Sequence, residues 1–301
     1  MFSGKCELCP RRCGVNRSAG EVGYCRAGSV PEIFRYGAHH GEEPPISLTR
    51  GSGTIFFSRC TMRCLYCQNF PWSQEGSGER YTVEGLAAIL RELHRQGCHN
   101  WNLVSPTPWL PAIRDAVEIA ERDGISLPVV YNTSGFERVE TLAQHEDLID
   151  VYLVDLRYSR GESAAAGSDA ADYVGMARAA LVEMWGQKGP LKLDGQGAAV
   201  SGTLCRLLIL PGLANEAVEN LEWLADHVGT GIAVSVMSQY VPAHKARGRE
   251  SWGRTITPRE YDEVRQAMER LGFTEGWIQD LEGAAPEGLV GYEMKSGPDR
   301  T

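Results

Sequence analysis

Apolar positions along the chain form short runs that alternate with helical faces. Residues 54–57 are a brief apolar run preceded by Gly51 and Gly53. Leu86, Ile89, Leu90 and Leu93 follow at helical spacing, with Thr82 placed to cap them and Gly97 to stop them. Residues 101–104 read as a second strand. Pro111 then opens a helix with Ile113, Ala116, Val117 and Ala120 on one face, ended by Gly124. The alternation continues with strands at 127–131, 151–156, 204–210 and 232–237. Helices fall between them at 137–145 and 173–185. Another is capped by Asn215, with Val218, Leu221, Ala225 and Val228 inward. The last is opened by Thr257, Pro258 and Glu260 in a capping-box pattern and stopped by Gly272.

About six strand–helix units with apolar strands imply an α/β fold, a parallel sheet covered by helices. Six units suit an open or partial barrel, where eight would close one. Residues 1–50 have no sustained periodicity and are rich in Cys, Gly, Arg and Pro. They read as a loop-rich cap that needs a metal or the main body to order it. The stretches 161–171 and 186–202 read as long loops, and the tail at 281–301 as poorly ordered. The expected division is thus a cap at 1–50, a barrel at 51–280 and the tail.

Composition narrows the function. The chain has 301 residues, 43% hydrophobic and 23% charged, with a formal net charge of −9. An acidic chain does not bind nucleic acid by general electrostatics. No apolar run approaches the ~18 residues of a membrane span, and the start carries no apolar leader. These readings point to the cytoplasm, where disulfides are rare. Nine cysteines then need another role. Cys98 and Cys205 stand alone and read as small buried hydrophobes. The other seven fall in two clusters.

Cys60, Cys64 and Cys67 begin three residues after the first strand run, at the carboxyl end, where ligands of α/β sheets and barrels sit. Three thiolates within eight residues can hold a [4Fe–4S] cluster, leaving one iron open to a second molecule. The alternatives are zinc or buried thiols, but zinc sites favour four ligands, often in paired C-x2-C units. Val151, Leu153, Asp155 and Arg157 share one face of a strand. Two apolar residues followed by two charged ones describe a core face turning into a site, or an internal ion pair at a strand end.

The C-x3-C-x2-C spacing, with Tyr66 before the last cysteine and a six-unit barrel around it, resembles the radical S-adenosylmethionine (SAM) superfamily over roughly residues 51–280. Within it, the chain is most similar to the glycyl-radical-enzyme activases, such as pyruvate formate-lyase activating enzyme, and their relatives. The resemblance implies a partial (β/α)6 barrel, a [4Fe–4S] cluster on Cys60, Cys64 and Cys67, and SAM as cosubstrate. Reductive cleavage of SAM then gives a 5′-deoxyadenosyl radical that abstracts hydrogen from a substrate. It further implies an external one-electron reductant of the flavodoxin or ferredoxin kind, and a partner glycine as one candidate substrate. A small molecule or a peptide is the other candidate, and a non-enzymatic metal-binding protein is the reading outside this chemistry. Tyr66 and Asn69 resemble SAM contacts. Asn132 and Ser134 resemble an Asp-Thr-Asn-Gly segment, and Asp155 and Arg157 an Asp-Leu-Lys segment, both near the SAM carboxylate. Ser105 and Thr107 stand where the superfamily usually has Gly-Gly-Glu for the SAM ammonium. Gln239 ends the sixth strand, where polar residues line a pocket.

Cys6, Cys9, Cys13 and Cys25 supply four thiolates, enough for zinc or a second Fe–S cluster. The alternative is a cysteine-rich segment without metal. His39, His40, Glu42 and Glu43 read as a solvated loop ahead of a His/Glu metal site. The basic loop from His244 to Arg249 reads equally as surface or as a contact for an anionic substrate or partner. No H-E-x-x-H, P-loop or G-x-S-x-G motif occurs.

Overall fold

The computed structural model describes residues 4–281; all but the first residue of the expected C-terminal tail lies outside them. The strands are β1 (Glu32–His39), β2 (Ser52–Phe57), β3 (Glu79–Arg80), β4 (Trp101–Val104), β5 (Val129–Thr133), β6 (Val151–Asp155), β7 (Lys192–Leu193), β8 (Ala199–Leu208), β9 (Ala233–Met237) and β10 (Gly276–Ile278). The helices are α1 (Pro44–Ser47), α2 (Phe70–Ser73), α3 (Val83–Arg95), α4 (Leu110–Arg122), α5 (Val139–Ala143), α6 (Gly161–Ser168), α7 (Tyr173–Lys188), α8 (Ala214–His227) and α9 (Pro258–Leu271). One sheet runs β10-β9-β8-β6-β5-β4-β2-β1-β3. From β2 to β10 its strands are parallel; β1 and β3 join antiparallel. This is the expected α/β partial barrel, left open at β3 and β10.

Alternation divides each strand between two cores. Tyr152 and Val154 of β6 pack outward with the helices, whose apolar faces carry Leu86, Leu90, Ile113, Leu181, Leu221 and Val264. Val151 and Leu153 point inward and join Val130, Leu204, Ala233 and Ile46 in a second cluster on the inner face. Thr82 and Thr257 cap α3 and α9 as expected, the latter in a full capping box. Leu213, not Asn215, holds the N-cap position of α8. Cys98 and Cys205 are buried. Among the described residues no helix is long and apolar enough to cross a membrane.

Three expected loops are instead structured. Residues 161–168 form α6, whose small side chains let it press against the loop after β2. Within 186–202, α7 continues to Lys188 and β7 pairs with β8 around a turn held by Asp194. Residues 32–47 are not irregular, because β1 pairs with β2 across the expected cap boundary and α1 carries Ile46 into the inner core. Glu42 and Glu43 are not solvated. Arg206, Asn102 and Asn132 bond the Glu42 carboxylate inside the barrel.

Candidate functional site

The loop that leaves β2 carries Cys60, Cys64 and Cys67 and is tied down on three sides. Leu65 N donates to Gly167 O of α6 at 2.9 Å, and Gln74 Nε2 donates to Cys64 O at 2.8 Å. Ala246 N of the basic loop donates to Leu65 O at 2.9 Å, and His244 stacks on Phe70. The basic loop therefore packs against the trio rather than standing free. Arg59, with a left-handed φ of 74°, turns the chain out of β2 and pairs with Glu32 at 2.6 Å.

Below the trio runs a ladder of alternating charge. Arg157 Nη1 donates to Cys64 Sγ at 3.0 Å, and its Nη2 donates to Asp155 Oδ2 at 2.6 Å. Arg206 Nε takes the other Asp155 oxygen at 2.7 Å, while its Nη2 reaches Asn132 Oδ1 at 2.6 Å and its Nη1 reaches Glu42 Oε2 at 3.2 Å. Burial alone would raise the Asp155 carboxyl, but the Arg206 and Arg157 guanidiniums more than offset it and hold it below its usual range. For Glu42 burial wins over Arg206, and its carboxyl is pushed up. Sulfur, two guanidiniums and carboxylates thus meet at the carboxyl ends of β6 and β8.

A cavity of about 180 Å³ opens here, lined among others by Cys64, Tyr66, Cys67, Asp155, Arg157 and Arg206. Asn69 and Gln239 line it as well. Seven of the expected site residues therefore share one cavity: Cys64, Tyr66, Cys67, Asn69, Asp155, Arg157 and Gln239. Cys60 opens on a neighbouring cavity of about 260 Å³. Asn132 stands one bond away through Arg206, and Ser134 offers its carbonyl to Tyr173 Oη at 2.8 Å. Thr107 is drawn elsewhere and donates to Glu137 Oε1 at 2.7 Å. Ser105 takes a left-handed φ of 57° at the end of β4, its N–H bonded to Asn132 O. The Tyr66 ring stacks on Trp252 and its hydroxyl meets that of Tyr158 at 2.8 Å.

Arg206 and Glu42 are site residues that sequence reading missed. Arg206 had a usable signal, since Leu204, Arg206 and Leu208 share a face as Leu153 and Asp155 do. Glu42 had none, because a loop entering a barrel interior shows no periodicity.

Three thiols carried on one loop are a donor set of the kind that holds an iron–sulfur cluster. Burial first, then the Cys64 sulfur, pushes the Cys60 thiol up to about 12 and the Cys67 thiol up to about 11. Buried thiols of this kind become thiolates when a metal takes their protons' place. Among the described residues no three His, Cys, Asp or Glu side chains are set to hold a single ion.

No family model matches the chain. It is 26% identical over 274 residues to the uncharacterised protein MJ0674 of Methanocaldococcus jannaschii, covering 88% of this chain and 73% of that protein. Two solved structures share its fold with a TM-score of 0.51. One is native anSMEcpe with bound AdoMet and Kp18Cys peptide, 9% identical over 73% of this chain and 60% of its own. The other is the FeFe-hydrogenase maturase HydG from Carboxydothermus hydrogenoformans, 14% identical over 79% of this chain and 54% of its own. The chain thus spans between half and two thirds of those structures, and the likeness is one of fold.

Proposed function

We propose that this chain is a radical SAM enzyme. The observation that carries the reading is the Cys60–Cys64–Cys67 loop at the carboxyl end of β2, with Cys64 bonded to Arg157 over a cavity lined by Asp155 and Arg206. When bound, a [4Fe–4S] cluster on the three thiolates with SAM on the open iron supplies a hydrogen-abstracting radical by one-electron reductive cleavage of SAM.

The residues of the chain bind, orient and exclude water. Arg157 and Arg206 present guanidinium groups to a ligand carboxylate, in the planar fork geometry that suits one. Arg157 also holds the Cys64 sulfur, so ligand position and cluster loop are set by one side chain. Asp155 fixes both guanidiniums. Asn69 and Gln239 add polar contacts, and the Tyr66, Tyr240 and Trp252 rings wall the site on the basic-loop side. Ser105, Thr107, Asn132 and Ser134 stand at or just beyond the carboxyl ends of β4 and β5, and of these Asn132 supports the set by accepting from Arg206.

In the finer reading the hydrogen donor is a backbone glycine of a partner enzyme, as the activase resemblance implies. The peptide bound to anSMEcpe supports the broader class, a protein or peptide substrate. Arg157 in place of Lys and Asn132 in place of Asp are departures from the activase pattern. The electron comes from a flavodoxin- or ferredoxin-like carrier. The reading places this chemistry in the cytoplasm, where thiols stay reduced and are available to metal. Cys6, Cys9, Cys13 and Cys25 enter the reading as a second metal-binding segment. Anaerobically reconstituted protein with dithionite and SAM is expected to give 5′-deoxyadenosine, and Cys64→Ala to abolish it. Product formation that survives Cys64→Ala, or none from the parent protein, overturns the proposal.

A further inference from the structure

The cysteine trio faces two cavities. Cys64 and Cys67 line the one that holds Asp155, Arg157 and Arg206, whereas half-buried Cys60 lines the neighbouring one of about 260 Å³. The two linings have no residue in common among the described residues. Their surroundings also differ in charge. The whole chain carries 30 Lys and Arg against 39 Asp and Glu. Around the Cys60 cavity that balance reverses. Arg26, Arg63 and Lys245 stand there against Glu75, and all four residues are exposed. Arg247 and Arg249 continue the basic face along the same loop, before Glu250.

The cations of this face are held in place. Arg63 Nη2 donates to Tyr24 O at 2.9 Å, and its guanidinium lies 4.1 Å over the Tyr24 ring. The Arg11 guanidinium lies 3.8 Å from the same ring, and Arg11 Nε donates to Thr61 O at 3.1 Å. The N-terminal segment is thereby joined to the trio loop beside Cys60. Lys245 precedes Ala246, whose N–H holds Leu65 O of that loop. Arg26 and His244 take left-handed φ values of 58° and 48°, which a non-glycine residue keeps only where its surroundings over-determine it. Cations arranged before a partner arrives lower the ordering cost of docking.

The chemistry of the trio needs an electron from outside the chain. Electron transfer through protein fades steeply with distance, so a carrier must dock where a cluster ligand nears the surface. It must also leave the SAM cavity open. The Cys60 side meets both conditions, and its cations suit an acidic partner. We propose that Arg26, Arg63 and Lys245, on the face over Cys60, dock an acidic one-electron carrier protein of the flavodoxin kind. One electron leaves the carrier and enters the cluster from the Cys60 side, while SAM occupies the other. This assigns the carrier a surface and rests on the radical SAM reading for the need of one.

The test uses anaerobically reconstituted full-length protein and a flavodoxin of strongly acidic net charge. Arg26→Glu/Lys245→Glu reverses two exposed cations of the face and leaves the lining of the SAM cavity untouched. Arg95→Glu/Arg122→Glu makes the same change in net charge at the last residues of α3 and α4. Binding of oxidised flavodoxin is measured at low and high salt. Formation of 5′-deoxyadenosine is measured with reduced flavodoxin and with dithionite. The parent is expected to bind flavodoxin more tightly at low salt. The face variant should bind about tenfold more weakly there and lose most of the salt dependence. Its flavodoxin-driven turnover should fall alike, with dithionite-driven turnover at the parent's level, and the control variant should match the parent throughout. Lys245→Gln should weaken binding in the same direction, and it carries the test if the double variant does not fold. A parent that does not bind flavodoxin, a face variant that binds as the parent does, or a control that weakens as much overturns the proposal. A dithionite-driven rate that falls with the flavodoxin-driven one overturns it too. A parent that gives no 5′-deoxyadenosine with dithionite sinks the radical SAM reading instead, while flavodoxin binding decides the docking face on its own.

Discussion

Glu137 is 1% exposed and takes hydrogen bonds from Thr107 Oγ1 at 2.7 Å and Thr133 Oγ1 at 2.5 Å. Its other oxygen is buried without a partner. Burial raises its carboxyl to about 7, with the bonds from Thr107, Thr133 and Tyr131 opposing. In the unfolded chain a glutamate titrates near ~4.3. The folded state therefore favours the protonated form. The stability this contributes is fully present below about pH 4 and is lost as pH rises through 7, up to roughly 3 kcal/mol. Glu137→Gln, a mimic of the protonated acid, should remove that slope. Urea unfolding of both proteins at pH 5 and pH 8 measures it, and equal slopes would refute the assignment. Asp155 has the opposite sign. It sits between two guanidiniums, so Asp155→Ala leaves Arg157 without a carboxylate and Arg206 with Glu42 alone, and is expected to lower stability by about 3 kcal/mol in the same assay. Asp155 and Arg157 were legible because strand alternation continues an apolar face into charge. Arg206 obeys the same rule but is hidden in the doubly buried run Leu204–Leu210, where continuous apolarity masks the inward face. Glu137 looked like the start of a helix. Its burial depends on Thr107, in the turn after β4, and on Tyr131 of β5, which local sequence does not report.

At the scale of elements, α6 shows what small residues do. Its Ala, Gly and Ser content read as a loop, since such composition gives no apolar face. The tertiary contact explains the helix. Leu65 N and Arg63 N bond the carbonyls of Gly167 and Ser168, and a larger helix could not approach the trio loop this closely. A Cβ at Gly167 would lie 2.4 Å from Tyr158 Oη and 2.9 Å from the Trp252 ring. Tyr158 cannot yield freely, because its hydroxyl is shared with Tyr66 and Ser168. Gly167→Ala is therefore expected to cost about 1–3 kcal/mol by overpacking, read as a lower midpoint of thermal or denaturant unfolding. A neutral result would mean that α6 stands off the trio loop. The helices with capping signals behave differently, as α3 and α9 begin where Thr82 and Thr257 place them. Their signals are local, so sequence alone was sufficient.

The whole molecule depends on a segment that the sequence pattern left blank. The parallel strands were readable because burial on both faces makes them apolar runs. Residues 32–47 do two jobs that leave no such trace. β1 is an antiparallel strand with Arg35 and Tyr36 half-exposed, so its composition is mixed. The chain then turns back under the sheet, sending Glu42 toward Arg206 and Ile46 into the inner cluster with Val130, Val151, Leu153, Leu204 and Ala233. Ile46 is fully buried and fills the barrel floor from outside the strand–helix repeat. Without it, inner faces of β5, β6, β8 and β9 would border a void that the rigid sheet cannot collapse. Ile46→Ala is accordingly expected to cost about 2–5 kcal/mol, transfer and cavity terms together. Ile46→Val should cost only about 1 kcal/mol. The ratio of the two, from denaturant unfolding, distinguishes a packed floor from a loose flap. If Ile46→Ala costs no more than Ile46→Val, the segment does not close the barrel, and Glu42 has no fixed place beneath the charge ladder.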